Sequence, residues 1–188
     1  MANKPKPSPL TPDHFAAFGA IIHHFARHEY LMQCIVSALI EVPLVPVSIL
    51  TVELGYRARR ETLLSLMRAK PLPKKQLERI ETFLSILDKR NGLRNAIAHN
   101  VWKSGSQPGS IRPVGISVRG GEARFKGLAE GEDQYTADKL RRIANELARS
   151  YDKFVAYLDG EGFLRYIPRN TDASSSETSL PSGTPSAK

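Results

Sequence analysis

The residue types best suited to chemistry lie together in residues 90–102, which read Arg-Asn-Gly-Leu-Arg-Asn-Ala-Ile-Ala-His-Asn-Val-Trp. Arg94 offers a permanent charge and a planar fork of donors that matches phosphate oxygens. His99 carries an imidazole able to give or take a proton near neutral pH. Asn95 adds an amide that can hold either the imidazole or a phosphate. These are the parts of a phosphoryl-transfer site. Their spacing sets a condition, because Arg94 and His99, five residues apart, point about 140° from one another on a straight helix. They converge only if Gly92 or Asn100 marks a kink or an end, or if the site straddles a seam between two subunits.

Other constellations are weaker. The chain holds no P-loop, no dinucleotide-binding glycine fingerprint, no H-E-x-x-H and no G-x-S-x-G. His24 and His28 are four apart and share a helix face beside His23, but no third ligand accompanies them, so packing or surface histidines are expected there rather than a metal site. Glu29, next to them, can reach an Arg or His across a bundle, although a solvated carboxylate is the commoner outcome. The single cysteine, Cys34, excludes an intramolecular disulfide framework and points to a reducing compartment, the cytoplasm by default. Net charge is +8, and residues 57–90 concentrate ten basic side chains against four acidic ones. That excess suits a polyanion-binding surface. On charge alone, Lys and Arg that merely solvate helix faces are the commoner outcome.

The elements that must position these groups are mostly helices. A length of 188 residues fits one domain of ordinary size. Residues 1–10 read as a flexible arm, 11–160 as the folded domain, and 161–188, rich in Ser, Thr and Pro towards the end, as a mostly disordered tail. The first helix is expected after Thr11, with Pro12 at its first position, and runs to about Ile40 on a stripe that includes Phe15, Phe18, Ile22 and Phe25. Pro43 and Pro46 then call for an extended connection. A second helix is expected over residues 47–69, using Leu50, Leu54, Leu63, Leu64 and Met67, and a third from Lys74 with Leu77, Ile80, Phe83, Leu84 and Leu87. Between Gly105 and Glu132 the period drops to two, and Gly120-Gly121 suits a tight turn, which predicts a β-hairpin at about 110–127. The last long helix is expected from Thr136 to Leu158, with Gly160 available to end it. The fold class is therefore mainly α: a bundle of about four long helices with a small hairpin inserted before the last. Glu41, Pro43, Pro46 and Glu53 interrupt the apolar segment 30–56, so no membrane span is expected.

Arg94-Asn95-x-x-x-His99 in such a helical chain, with Leu93, Ala98 and Trp102 around it, resembles the R-x4-6-H signature of HEPN domains (higher eukaryote and prokaryote nucleotide-binding). The resemblance implies a metal-independent endoribonuclease of toxin or defence type, needing no cofactor, in which two subunits bring both Arg/His pairs to one cleft. Carried over, His99 acts as general base on the ribose 2′-hydroxyl or as general acid on the leaving 5′-oxygen. Arg94 stabilises the pentacoordinate phosphate and Asn95 orients its neighbours, leaving a 2′,3′-cyclic phosphate. The resemblance also implies that the basic stretch tracks the RNA backbone, through Lys74, Lys75, Lys89 and Arg90. The implied partners are an RNA substrate, a second copy of the chain and an antitoxin or other regulatory protein, with no membrane. HEPN toxins governed by a nucleotidyltransferase often carry Tyr two residues after the His; Val101 stands there in this chain. Two other readings fit the same residues: a catalytically silent HEPN-like module that binds nucleic acid or a protein, and an unrelated bundle in which Arg94 caps carbonyls and His99 closes a helix.

Overall fold

A computed structural model describes residues 8–119, 122–126 and 134–165. Helix α1 (Pro12–Ile40) opens as the sequence predicts: Thr11 is the N-cap, and Thr11 and His14 hold one another's backbone N–H in a capping box. Its buried side chains include Ile21, Phe25, Leu31, Met32 and Ile35. Because α1 packs on four other helices, it is apolar around more of its circumference than a surface helix is. Phe15 is the exception within the expected stripe, since it is exposed.

The single helix expected over residues 47–69 is two helices, α2 (Leu44–Thr51) and α3 (Tyr56–Ala69). Pro46 lies in the first turn of α2 rather than in an extended connection. At that third position its missing N–H costs nothing, because the first N–H groups of a helix have no internal partner. The break after Thr51 is stabilised from α3: Arg59 donates to the carbonyls of Thr51 and Val52, both at 3.1 Å, and Gly55 caps the new helix. As a result Leu50, expected to face inward, is exposed with Val45, Ile49 and Val52.

Helix α4 (Lys74–His99) runs unbroken through Gly92, so that glycine does not divide it. Ile80, Phe83, Leu84 and Leu87 are buried as their spacing predicts. Tyr56 and Arg60 of α3 both donate to Asp88, at 2.8 and 2.9 Å, and tie α3 to α4. Asn100 ends α4, and β1 (Val101–Ser104) begins at once. β1 pairs antiparallel with the first part of β2 (Ser110–Arg119), with Val101 opposite Val114 and Ser104 opposite Ile111. The second part of β2 pairs with β3 (Glu122–Lys126), which is the expected hairpin; its Gly120-Gly121 turn lies outside the described residues. The two-residue β4 (Tyr135–Thr136) pairs with the start of β2 and leads into α5 (Ala137–Gly160), whose N-cap is Thr136. α5 lies along α1, burying Leu140, Leu147 and Leu158, and its Phe154 ring stacks on Phe83 of α4 at 3.7 Å between centroids. Past Gly160 the chain turns at Gly162, which has a positive φ of 74°, and buries Phe163. The architecture is a mainly helical bundle with a small antiparallel sheet before the last helix. No single helix among the described residues is long and apolar enough to cross a membrane.

Candidate active site

Two features of the chain fix the last turns of α4. After Asn100 the strand β1 places Trp102 in the core, against Phe18 of α1 at 4.7 Å between ring centroids. Asn100 lies over Gly115 of β2 so closely that a Cβ at that position would meet its Oδ1 at 2.6 Å. The helix end that carries His99 is thus braced by the sheet, and a side chain at position 115 would push that of Asn100 aside.

Arg94 faces α1. Its Nη2 lies 3.9 Å from Oε2 of Glu29, and its guanidinium stands 5.8 Å from the centre of the Phe25 ring, one turn earlier on α1. The other Glu29 oxygen is 3.8 Å from Nη1 of Arg59, the side chain that also caps α2. Glu29 and Arg59 are largely withdrawn from solvent, with side chains 12% and 17% exposed, whereas Arg94 is 31% exposed. One carboxylate therefore holds two guanidinium groups from two different helices. This contact answers the question that the sequence left open for Glu29: it is ion-paired rather than freely solvated.

Arg94 also reaches sideways. Its Nη1 donates to Oδ1 of Asn95 at 3.1 Å. Asn91, Asn95 and His99 recur every four residues, so they form one stripe along α4. Asn95 and His99 are exposed, and Oδ1 of Asn91 is buried without a partner among the described residues. The hydrogen bond thus links the guanidinium to Asn95, whose position on the helix is about 40° from that of His99. His99 itself makes no hydrogen bond or ion pair among the described residues. The structure brings Arg94 and Asn95 together and sets His99 one turn further along the same stripe, without direct contact to Arg94. Asn91 escaped the sequence reading as a site residue, although its spacing from Asn95 and His99 was the available signal. Arg59 had only its charge to mark it.

The remaining candidates are spread out. Arg90 donates to Glu146 of α5 at 2.6 Å, and Lys89 is exposed on the next position. Lys74 pairs with Glu78 at 3.8 Å and lies with Lys75 in the first turn of α4. That is about 37 Å from His99 along the helix axis, too far to share one phosphate with it.

The histidines of α1 do not form a ligand set, and among the described residues no group of three His, Cys, Asp or Glu could hold a metal ion. His28 is fully buried, stacked on Phe83, and donates through Nδ1 to the His24 carbonyl at 2.7 Å. Its Nε2 is buried without a partner, as suits a neutral ring. Burial, chiefly, lowers its pKa below the ordinary value, against the raising effect of the His24 carbonyl. His24 is lowered as well, by partial burial first and then by the charges of His23 and Arg27. No protein family, curated protein or solved structure matches this chain.

Proposed function

We propose that the protein is a metal-independent endoribonuclease of the HEPN kind, acting in the cytoplasm as a homodimer. The observation that carries this reading is the Arg94–Asn95 hydrogen bond, which links a half-buried guanidinium to the stripe holding an exposed imidazole that has no partner among the described residues. A guanidinium whose counter-ion is fixed beneath it is preorganised to meet developing negative charge at little reorganisation cost. In the reaction His99 takes the proton of a ribose 2′-hydroxyl as the 2′-oxygen bonds to phosphorus. The P–O5′ bond then breaks, and the leaving oxygen takes a proton from the second protomer's imidazole or from water. Arg94 neutralises the equatorial oxygens meanwhile. Products are a 2′,3′-cyclic phosphate and a 5′-hydroxyl, and no redox or metal step is needed.

The exposed apolar face of α2, with Val45, Ile49, Leu50 and Val52, supports the second copy. It adjoins the Arg59–Glu29–Arg94 network through the carbonyls that Arg59 caps. A toxin or defence role with a regulatory partner belongs to the same reading. A second reading rests on the Glu29 ion pair itself: Arg94 locks α4 to α1, and the module binds RNA or protein without cleaving.

The test is incubation of single-stranded RNA in excess EDTA with wild type, Arg94→Ala and His99→Ala proteins. Cleavage by wild type alone, with cyclic-phosphate ends, supports the nuclease. Equal cleavage by all three sinks it, and salt-sensitive binding without cleavage favours the silent module. Sedimentation of wild type against Ile49→Lys checks the dimer.

A further inference from the structure

We infer that the groove between α4 and α5 is the track along which a single-stranded RNA lies before it reaches His99; this rests on the nuclease reading above. The groove has two parts. One, of about 370 Å³, is floored by Phe83, Ile86 and Phe154 and edged by Arg79, Arg149 and Lys153. The other, of about 360 Å³, is edged by Lys89, Arg90 and Lys139 and runs to Gly92 and Ala96. The Arg90–Glu146 ion pair stands at their junction, and among the described residues Glu146 is the one carboxylate lining either part. Arg79, Lys89, Arg149 and Lys153 have no acidic partner among the described residues. Among the described residues six cations thus face one anion along a concave surface, where field lines focus and a polyanion is favoured.

Geometry favours RNA over an acidic helix. Arg149 and Lys153 stand one helical turn apart, about 6 Å, a spacing comparable with successive phosphates of an extended strand. Thr82 and Ser150 add hydroxyls between the cations. The floor between the cations is apolar, and its two phenylalanine rings are largely buried and stacked on each other. From Arg79 to Ala96 the groove follows α4 for about 25 Å, enough for roughly four to seven nucleotides. Its far end is Ala96, a helical neighbour of His99 at i+3, so a strand leaving the groove arrives at the proposed reacting imidazole.

The experiment measures binding of a fluorescein-labelled 2′-O-methyl RNA decamer, which has no nucleophile and is not cleaved, by anisotropy at several salt concentrations. Arg79→Gln/Arg149→Gln/Lys153→Gln is compared with Arg57→Gln/Arg68→Gln/Lys70→Gln, which removes the same charge from exposed positions on and beside α3. Thermal melts verify that both fold. The groove variant is expected to lose affinity about 50-fold at 0.15 M salt, and the slope of log K against log salt falls by about 2, from three lost contacts on a single strand. The α3 variant keeps a slope near that of wild type. Equal losses in both variants, or wild-type affinity in the groove variant, overturn the proposal, the latter leaving the groove to an acidic helix. Groove-dependent binding by a wild type that never cleaves RNA ends the nuclease reading and leaves the groove standing. Cleavage by wild type together with undiminished binding by the groove variant does the reverse.

Discussion

Replacing Glu29 by Gln keeps the shape of the side chain and removes the charge that faces Arg59 and Arg94. Each guanidinium sits just under 4 Å from a carboxylate oxygen. At an effective dielectric near 20, one such attraction is worth about 4 kcal/mol before the desolvation that offsets most of it. Pairs this exposed at one end retain on the order of 1 kcal/mol each. The substitution cancels two attractions and leaves two cations facing one another, so the expected loss is about 2 kcal/mol. For a domain of this size that lowers Tm by roughly 4–8 °C. Urea titration of the single variants Glu29→Gln and Arg94→Gln and of the double variant measures the coupling. The double variant should be about 1 kcal/mol more stable than the sum of the single losses implies, because the Glu29–Arg94 attraction is lost in each single variant but only once in the double. Additivity within about 0.4 kcal/mol would refute the network, however the RNA assays come out.

Three further outcomes follow from the packing. Burial lowers the pKa of His28, so the unfolded chain takes up its proton first. Stability is complete above pH 6.5 and falls as pH drops from there towards the folded pKa; His28→Phe should flatten the curve of urea midpoint against pH in that window. Glu41 ends α1 with a left-handed φ of 59°, and Glu41→Gly should raise stability by about 0.5–1 kcal/mol in the same titration. Burial pushes the Cys34 thiol up to about 12, so iodoacetamide at pH 8 should leave the native protein unlabelled and modify it at the rate of global opening. Rapid labelling in the absence of denaturant would contradict that burial.

What could be read from the sequence was local. Thr11-Pro12 and the apolar stripe after it locate α1, and Lys74 after Pro71 and Pro73 locates the start of α4, because caps and prolines act within a few residues. The alternation around 111–125 gives the β2–β3 hairpin for the same reason. The misread region is 44–56. There the apolar spacing continues, and the break is held by Arg59 reaching back to two carbonyls; Gly55, the N-cap of α3, was the local signal for it. β1 and β4 were not anticipated either, since each is short and acquires its partner only when β2 lies between them. In the site, Arg94, Asn95 and His99 were visible as types. The hold that Glu29 exerts on Arg94 joins residues on α1 and α4, and spacing within one helix carries no information about it.

The two side chains proposed to react are held in opposite ways, and this difference bears on how they would work together. Arg94 is fixed by a largely buried carboxylate below and by Asn95 at its side, so its orientation is set when the bundle folds. His99 is exposed and unpaired at the end of a helix whose termination, by contrast, is tightly braced through Asn100, Gly115 and Trp102. A cation that must be in place before charge develops gains from rigidity, whereas an imidazole that must accept a proton at one oxygen and release it elsewhere needs rotameric freedom on a fixed backbone. In the proposed reaction, a rigid arginine and a free histidine on adjoining stripes of one helix would divide the labour of phosphoryl transfer. On that argument the sheet is more than an insertion: by pinning the last turn of α4 it limits His99 to motion of its side chain alone.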